Sequence, residues 1–320
     1  MSSRIDVPSA EARAVAPTQA RGLGPEARDL MEISHRLVAY NLAYLALAWA
    51  VALAAIGLYW ARPAWYTFAI AFAVVSSRQH ALLNCAHEGV HGKFLPRRRW
   101  NDFVSTYLCA APVGSPFGAA KARHLSHHRL LGTPEDPDTN LHSGEGKRTR
   151  SGLVRYFVRA VLGGYAGMVL MGPRAPRAVA GAISARRDLM SLVLVQGALA
   201  AGFALAFAWW VYPALWLAPL VSVTAFCHLT RSFVEHAISE SEVPAHGNRL
   251  ITIESFFIER ALLSPYFMNY HAEHHLLPSV PAPRLKELQD RLAGHADTPP
   301  VLVRHSYAGA LRRYARELPD

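Results

Sequence analysis

Three short stretches concentrate the side chains able to do metal chemistry: His87-Glu88-Gly89-Val90-His91, His124-Leu125-Ser126-His127-His128 and His271-Ala272-Glu273-His274-His275. Neutral imidazole ligates zinc, copper, iron or nickel through a ring nitrogen. Residues at i and i+4, or at i, i+3 and i+4, share one face of a helix, so each stretch could present its histidines together. Eight of the chain's sixteen histidines fall in these clusters. Eight are too many for one catalytic metal, which takes three protein ligands and keeps a position open. The arithmetic favours two metals with four or five nitrogens each.

Taken alone, HEGVH spells the H-E-x-x-H pattern of zinc proteases, in which two histidines hold the metal and the glutamate activates water. An intramembrane protease of that kind would need a third ligand, for which Asp136 or Asp138 could serve, and a later LDG-type segment, which the sequence lacks. It would also leave the other two clusters unexplained. The soluble di-iron pattern of paired Glu-x-x-His motifs fails as well, because only Glu32-Ile33-Ser34-His35 fits it. A metal store or transporter would place ionisable groups along its spans, and the first, third and fourth apolar runs have nearly clean middles. Cys85, Cys109 and Cys227 form no CxxC pair and read as small apolar residues.

The elements that must position these histidines are apolar. Leu37 to Trp60 is uncharged for 24 residues, enough to cross a hydrocarbon core of about 30 Å. We expect four spans in two hairpins, at about 37–60, 65–86, 189–210 and 213–230. Twelve lysines and arginines between 121 and 187, with Arg97-Arg98-Arg99, put the connecting segment, both termini and all three clusters on the cytoplasmic side. Trp60, Trp65, Trp209, Trp210 and Tyr212 sit at the outer turns. The apolar stretches 103–117 and 153–171, interrupted by Gly, Pro or Arg, read as interfacial or re-entrant helices. The net charge of +10 is thus a topology signal and not the mark of a nucleic-acid binder. The expected architecture is an all-α integral membrane protein, with four transmembrane helices and a cytosolic helical cap carrying the clusters. Residues 1–36 form a polar, partly disordered N-terminal segment, 37–285 the membrane domain, and 286–320 an amphipathic tail.

HEGVHG, HLSHH and HAEHHLLPSVP, in this order and each beyond paired apolar runs, resemble the three histidine boxes of the membrane-bound fatty acid desaturase superfamily. The resemblance covers roughly residues 37 to 285. It implies two non-haem irons that use O2 as co-substrate, held by His87, His91, His124, His127, His128, His271, His274 and His275. It also implies one further ligand before the last box. His228 and His236 are both available, and VEHA resembles the stretch that carries this ligand in alkane hydroxylases, which selects His236. Some desaturases have Asn four residues earlier, where this chain has Ser232. His80, Asn84, Glu88, Glu273, Asp136, Asp138, Ser232 and His228 are candidates for orienting the imidazoles. His35, His142, His246, His295 and His305 stand alone and are expected to be solvated.

The resemblance implies an oxidoreductase that introduces a double bond into an acyl chain of a lipid or a carrier-bound acyl group. The alternative is hydroxylation, ketolation or desaturation of an alkane, a carotenoid or a small specialised metabolite; the intramembrane protease is a remote one. Electrons would come from a separate ferredoxin or membrane haem protein with its reductase, docking on the basic face at Arg97 to Arg99 and Lys147 to Arg150. The expected location is a bacterial inner membrane.

Overall fold

A computed structural model describes residues 27–142, 147–164, 182–239, 241–243, 249–293 and 298–320. Helix α1 (His35–Ala61) and helix α2 (Trp65–Val90) form an antiparallel hairpin. Ser34 caps α1 by accepting from the amide of Leu37, and the Thr67 side chain accepts from the Ala64 amide at the start of α2. Helix α3 (Arg98–Val104) runs into an irregular stretch, a π-helical turn over Ser105–Ala110 and a 3-10 turn over Ala111–Val113. Gly114, at φ +67, then reverses the chain into helix α4 (Phe117–Leu130). Helices α5 (Arg150–Val161) and α6 (Ala182–Ala206) follow, then two π-helical turns and helix α7 (Ala225–Val234).

Among the described residues, three helices are long and apolar enough to cross a membrane: His35–Ala61, Ala185–Ala206 and Pro213–Val234. Helix α2, expected as a fourth span, has the length, but Ser76, Ser77, Gln79, His80 and Asn84 make its second half polar and buried. Those side chains are used internally. Ser77 donates to the carbonyl of Ala261 at 2.7 Å, His80 Nδ1 lies 2.8 Å from that of Leu262, and Asn84 donates to that of Pro265 at 2.7 Å. Their spacing keeps them on one face of α2, against helix α8 (Phe257–Leu263) and the turn after it.

The irregular 105–113 stretch would be costly inside a membrane, where carbonyls lacking an i+4 partner find no water. Its carbonyls are met by side chains. Trp49 donates to Leu108 at 3.0 Å, Gln196 to Ala111 at 2.6 Å and Trp216 to Pro112 at 2.9 Å. Trp49 and Trp216 also stack, with ring centroids 5.3 Å apart. Stacking of this kind contributes about 0.5–1.5 kcal/mol beyond the area buried.

The all-α expectation needs one correction. Strand β1 (Ile251–Ile253) pairs in parallel with strand β2 (Leu302–Arg304), in register Ile251 to Leu302. Three residues are too few to leave an alternating pattern in the sequence. The pair holds helix α9 (His271–Leu276), because Thr252 donates to Glu273 and the Ile253 amide to the carbonyl of Asn269. Just before α9, Tyr266 and Phe267 have φ values of +62 and +61. Such conformations cost on the order of 1–3 kcal/mol each and persist only where the surroundings enforce them. Here the buried Tyr266 hydroxyl is fixed by Asn41 Oδ1 at 2.6 Å. Helices α10 (Leu285–Leu292) and α11 (Tyr307–Glu317) are the expected amphipathic pair near the end of the chain. The stretch 103–117 is helical only in part, and 165–181 lies outside the described residues, as do residues 1–26, His246 and His295.

Gly89, inside HEGVH, explains itself by packing. A Cβ there would lie 1.8 Å from Ser105 Oγ and 2.5 Å from Ser105 Cβ. Rotating the hydroxyl cannot relieve the second contact. Gly89→Ala is therefore expected to destabilise the fold by about 1–3 kcal/mol, read as a lower unfolding temperature in detergent; an unchanged midpoint would show that the two segments separate freely.

Candidate metal centre

Helix α2 delivers His87 and, as its C-cap, His91; α4 delivers His124, His127 and His128; α9 delivers His271, His274 and His275. The chain after α7 supplies His236. Their ring nitrogens converge into two groups. His87, His91, His124, His128 and His274 form one, and His127, His236, His271 and His275 the other. Within each group the potential ligand atoms all lie within 4.8 Å of one another.

The partition follows helix geometry. Residues four apart are offset by about 40° around the axis, while i+3 lies about 60° to the other side. Each i, i+4 pair stays together, as His87 with His91, His124 with His128, and His271 with His275. Each i+3 histidine crosses to the other group, as His127 and His274 do.

The spacing suits metal ligation. In the group of five, Nε2 to Nε2 distances are 3.0 Å for His91 and His124, 2.8 Å for His124 and His128, and 3.1 Å for His128 and His274. In the group of four they are 3.2 Å for His127 and His236, 2.9 Å for His236 and His271, and 3.1 Å for His271 and His275. Two nitrogens each about 2.1 Å from a common ion and at right angles to each other would stand about 3.0 Å apart. Both ring nitrogens of His87 are buried with no hydrogen-bond partner, a loss that an ion would offset. Neither group contains a carboxylate, so the donors are those of a nitrogen-loving transition metal and not of magnesium or calcium. The residues fit.

Electrostatics point the same way. Burial, reinforced by neighbouring imidazoles, holds His124, His128, His236, His271, His274 and His275 well below the ordinary histidine value. His91 is pushed down to about 4, chiefly by burial. The resting form is therefore neutral imidazole, the ligating form.

Two buried carboxylates stand behind the group of four. Asp136 Oδ1 is 2.9 Å from Nδ1 of His127, and Glu235 Oε2 is 3.4 Å from Nδ1 of His271. Burial alone would raise the Asp136 carboxyl, but its bonds with His127 and His142 outweigh this and hold it below the usual carboxylate range. Burial pushes Glu235 up to about 7, against the pull of Arg231 and the Tyr307 hydroxyl, which donates to it at 2.9 Å. A carboxylate on the far nitrogen fixes the tautomer and the ring plane.

Several expectations are corrected here. His142 is not solvated: it is buried, with Nε2 3.3 Å from Asp136 Oδ2 and its ring 5.3 Å from that of His236. The turn capped by Asp136, which accepts from the Asp138 amide at 2.9 Å, folds this stretch back against α4. His35 and His305 are exposed. Glu88 accepts from the Ala282 amide at 3.0 Å and Glu273 from Thr252, so neither is spent on an imidazole. His80 and Asn84 serve the carbonyls of Leu262 and Pro265. Asp138 pairs with Arg123 and lies 3.9 Å from His127 Nδ1. His228 faces His80, with ring centroids 5.9 Å apart, and belongs to neither group. Lys147, expected on a basic docking face, is buried over the Tyr156 ring and donates to the Asn140 carbonyl; Arg97, Arg98 and Arg99 are exposed. Sequence reasoning missed Glu235 and Tyr307. The available signal was a carboxylate adjoining His236 with Arg231 four residues earlier.

A cavity of about 630 Å³ adjoins both groups, bounded by His87, His124, His127, His236 and His271 at one end and elsewhere by apolar side chains together with polar ones such as Arg123, Asn140, His228, Arg231 and Ser232. A family model for fatty acid desaturases matches residues 63–307. The chain is similar to the dihydrorhizobitoxine desaturase of Bradyrhizobium elkanii, 27% identical over 237 residues, or 68% of this chain. That match spans 65% of the relative, just under two thirds of its length. It is also similar to the beta-carotene ketolases of two strains of Paracoccus sp., each 26% identical over 202 residues, covering 62% of this chain and 70% of theirs.

Two measurements test this geometry. Because burial in the folded state favours the neutral form of His91, His124, His128, His236, His271, His274 and His275, the unfolded chain binds more protons once the pH falls below the ordinary value of 6.5. Stability of metal-free protein is thus fully present above pH 6.5 and should fall progressively between 6.5 and 4, followed by thermal unfolding; a flat profile would mean the rings are not held neutral. Asp136→Ala removes the acceptor behind His127 and should weaken metal retention about 10- to 100-fold, measured by competition with a chelator.

Proposed function

The chain belongs to the fatty acid desaturase family, and from that premise we propose that it is an O2-dependent oxidoreductase with two non-haem irons. Its reaction would introduce a double bond into an acyl chain of a lipid or a carrier-bound acyl group. The observation that carries this reading is the pair of convergent all-histidine groups at the end of a largely apolar cavity. Two irons bound there would supply, with O2, the oxidant that an unactivated C–H bond requires and no side-chain acid or base can provide.

The residues have separate tasks. His87, His91, His124, His128 and His274 would hold one iron; His127, His236, His271 and His275 would hold the other. Asp136 keeps the ring of His127 in the ligating tautomer through its hydrogen bond to Nδ1, and Glu235 stands 3.4 Å behind His271. Apolar walls align the chain and exclude water, and placement within a fraction of an ångström selects between removing a second hydrogen and adding a hydroxyl. The second reading, oxygenation of a carotenoid or a small metabolite in the same site, is favoured by the named relatives, which are a ketolase pair and a desaturase of a different substrate. Electrons would arrive from a separate ferredoxin or membrane haem protein, for which exposed Arg97, Arg98 and Arg99 offer a basic landing. Four spans with the histidines on the cytoplasmic side of a bacterial inner membrane complete the proposal.

Metal analysis and product analysis decide it. Purified protein should carry about two irons per chain, lost with activity in His127→Ala and His274→Ala. A single zinc indifferent to both substitutions would overturn the di-iron reading. Lipid extracts from producing cells should gain a double bond; an unchanged acyl profile alongside a newly oxidised carotenoid or metabolite would select the second reading.

A further inference from the structure

The cavity beside the histidines has two kinds of wall. One is apolar, built from Leu83, Val90, Val113, Phe117, Leu220 and Leu229. The other is one face of α7, where His228, Arg231 and Ser232 stand at i, i+3 and i+4, one turn before Glu235 and His236; Arg123, Asp138 and Asn140 also line the cavity, the first two paired with each other. The polar groups of this second wall are not used up by the fold. Nδ1 of His228 is buried without a partner. The Ser232 hydroxyl makes no hydrogen bond among the described residues, although it lines the cavity. Arg231 is only 5% exposed; its Nη1 donates to Asn84 Oδ1 at 2.7 Å and its Nε lies 3.1 Å from Glu235, leaving Nη2 without a bonded partner among the described residues.

Arg231 adjoins the group of four, since Glu235 Oε2 lies 3.1 Å from its Nε and 3.4 Å from Nδ1 of His271. A buried guanidinium and an orphaned imidazole nitrogen in an apolar span are expensive and mark function. A plain hydrocarbon chain would strip water from these groups and return nothing, so a site meant for one would be apolar here. A site that hydrogen-bonds its substrate rejects the analogue lacking the polar group.

Building on the reading of this site as one that oxidises C–H bonds, we infer that its substrate carries an oxygen acceptor, a carbonyl or a carboxylate, close to the carbon that reacts. Ser232 and Arg231 donate to that oxygen and His228 is a third contact. Ser232 is one helical turn from His236, so the acceptor lies roughly 5–6 Å along the cavity from the group of four. The apolar remainder of the substrate runs along the Leu83 to Leu229 wall. The cavity of about 630 Å³ has room for on the order of twenty non-hydrogen atoms at roughly 30 Å³ each. One acyl chain with its carbonyl fits; a whole membrane lipid does not.

The test uses full-length protein as purified in detergent after production with iron supplied, and three probes of equal chain length: decane, methyl decanoate and decanoate. Apparent affinities are read from the rise in unfolding temperature at matched mole fractions in the micelle. Both oxygenated probes should bind at least tenfold tighter than decane, and the order of ester and carboxylate tells whether the acceptor is neutral or charged. Ser232→Ala and His228→Phe should each erase most of the preference while keeping decane binding; Arg231→Lys should lower it, and the two milder variants decide the matter if that protein does not fold. Equal binding of all three probes, or a preference that survives Ser232→Ala and His228→Phe together, overturns the inference. Iron content from the same preparation separates the outcomes. Two irons without probe preference sinks this inference alone, whereas probe preference without iron sinks the di-iron reading and leaves the acceptor site standing.

Discussion

Nine buried or half-buried imidazoles, aimed at two points, are the constraint on which the rest of this structure depends. Bringing them together without protonation requires a dry setting, and a dry setting requires that every other polar group nearby be spoken for. The i+3 crossing adds a mechanical consequence. Because His127 and His274 each leave their own helix's pair, α4 and α9 are each tied to both groups. Neither helix can shift without disturbing two sets of contacts.

The same accounting governs the surrounding frame. The carbonyls of the π and 3-10 turns at 105–113 are met by Trp49, Gln196 and Trp216, and the polar face of α2 is met by the carbonyls of 261–265. Irregular backbone can thus sit beside apolar helices with the carbonyls of Leu108, Ala111 and Pro112 paired. Gly89 lets Ser105 approach the turn of α2 that carries His87, and Asn41 holds Tyr266 in its left-handed backbone just before His271. From the end of the chain, Tyr307 reaches the centre through Glu235. Helix α11, far from the histidines in sequence, is therefore part of their support.

Against this frame, the face of α7 that carries His228, Arg231 and Ser232 stands out, because it presents polar groups without protein partners to a largely apolar cavity. Local departures from full pairing are the pattern expected where function overrides packing.

The sequence by itself determined what is local: the number and type of the donors, their spacing on helices, and the apolar lengths of α1, α6 and the segment through α7. Those properties follow from residue identity and a fixed helical period, which is why metal-binding potential and membrane character were both legible. The tertiary structure decided what depends on angle and on distant partners. An i, i+3, i+4 triplet spans about 100° of helix surface, wide enough to serve one ion or two, and only the placement of α2, α4 and α9 around each other divides nine histidines into five and four. His142 reads as a solitary histidine until Asp136 folds it inward, and Glu235 gains its place behind the centre only where Tyr307 and His271 close around it. These are contacts across many residues, set by packing in a low-dielectric interior, and no spacing along the chain encodes them.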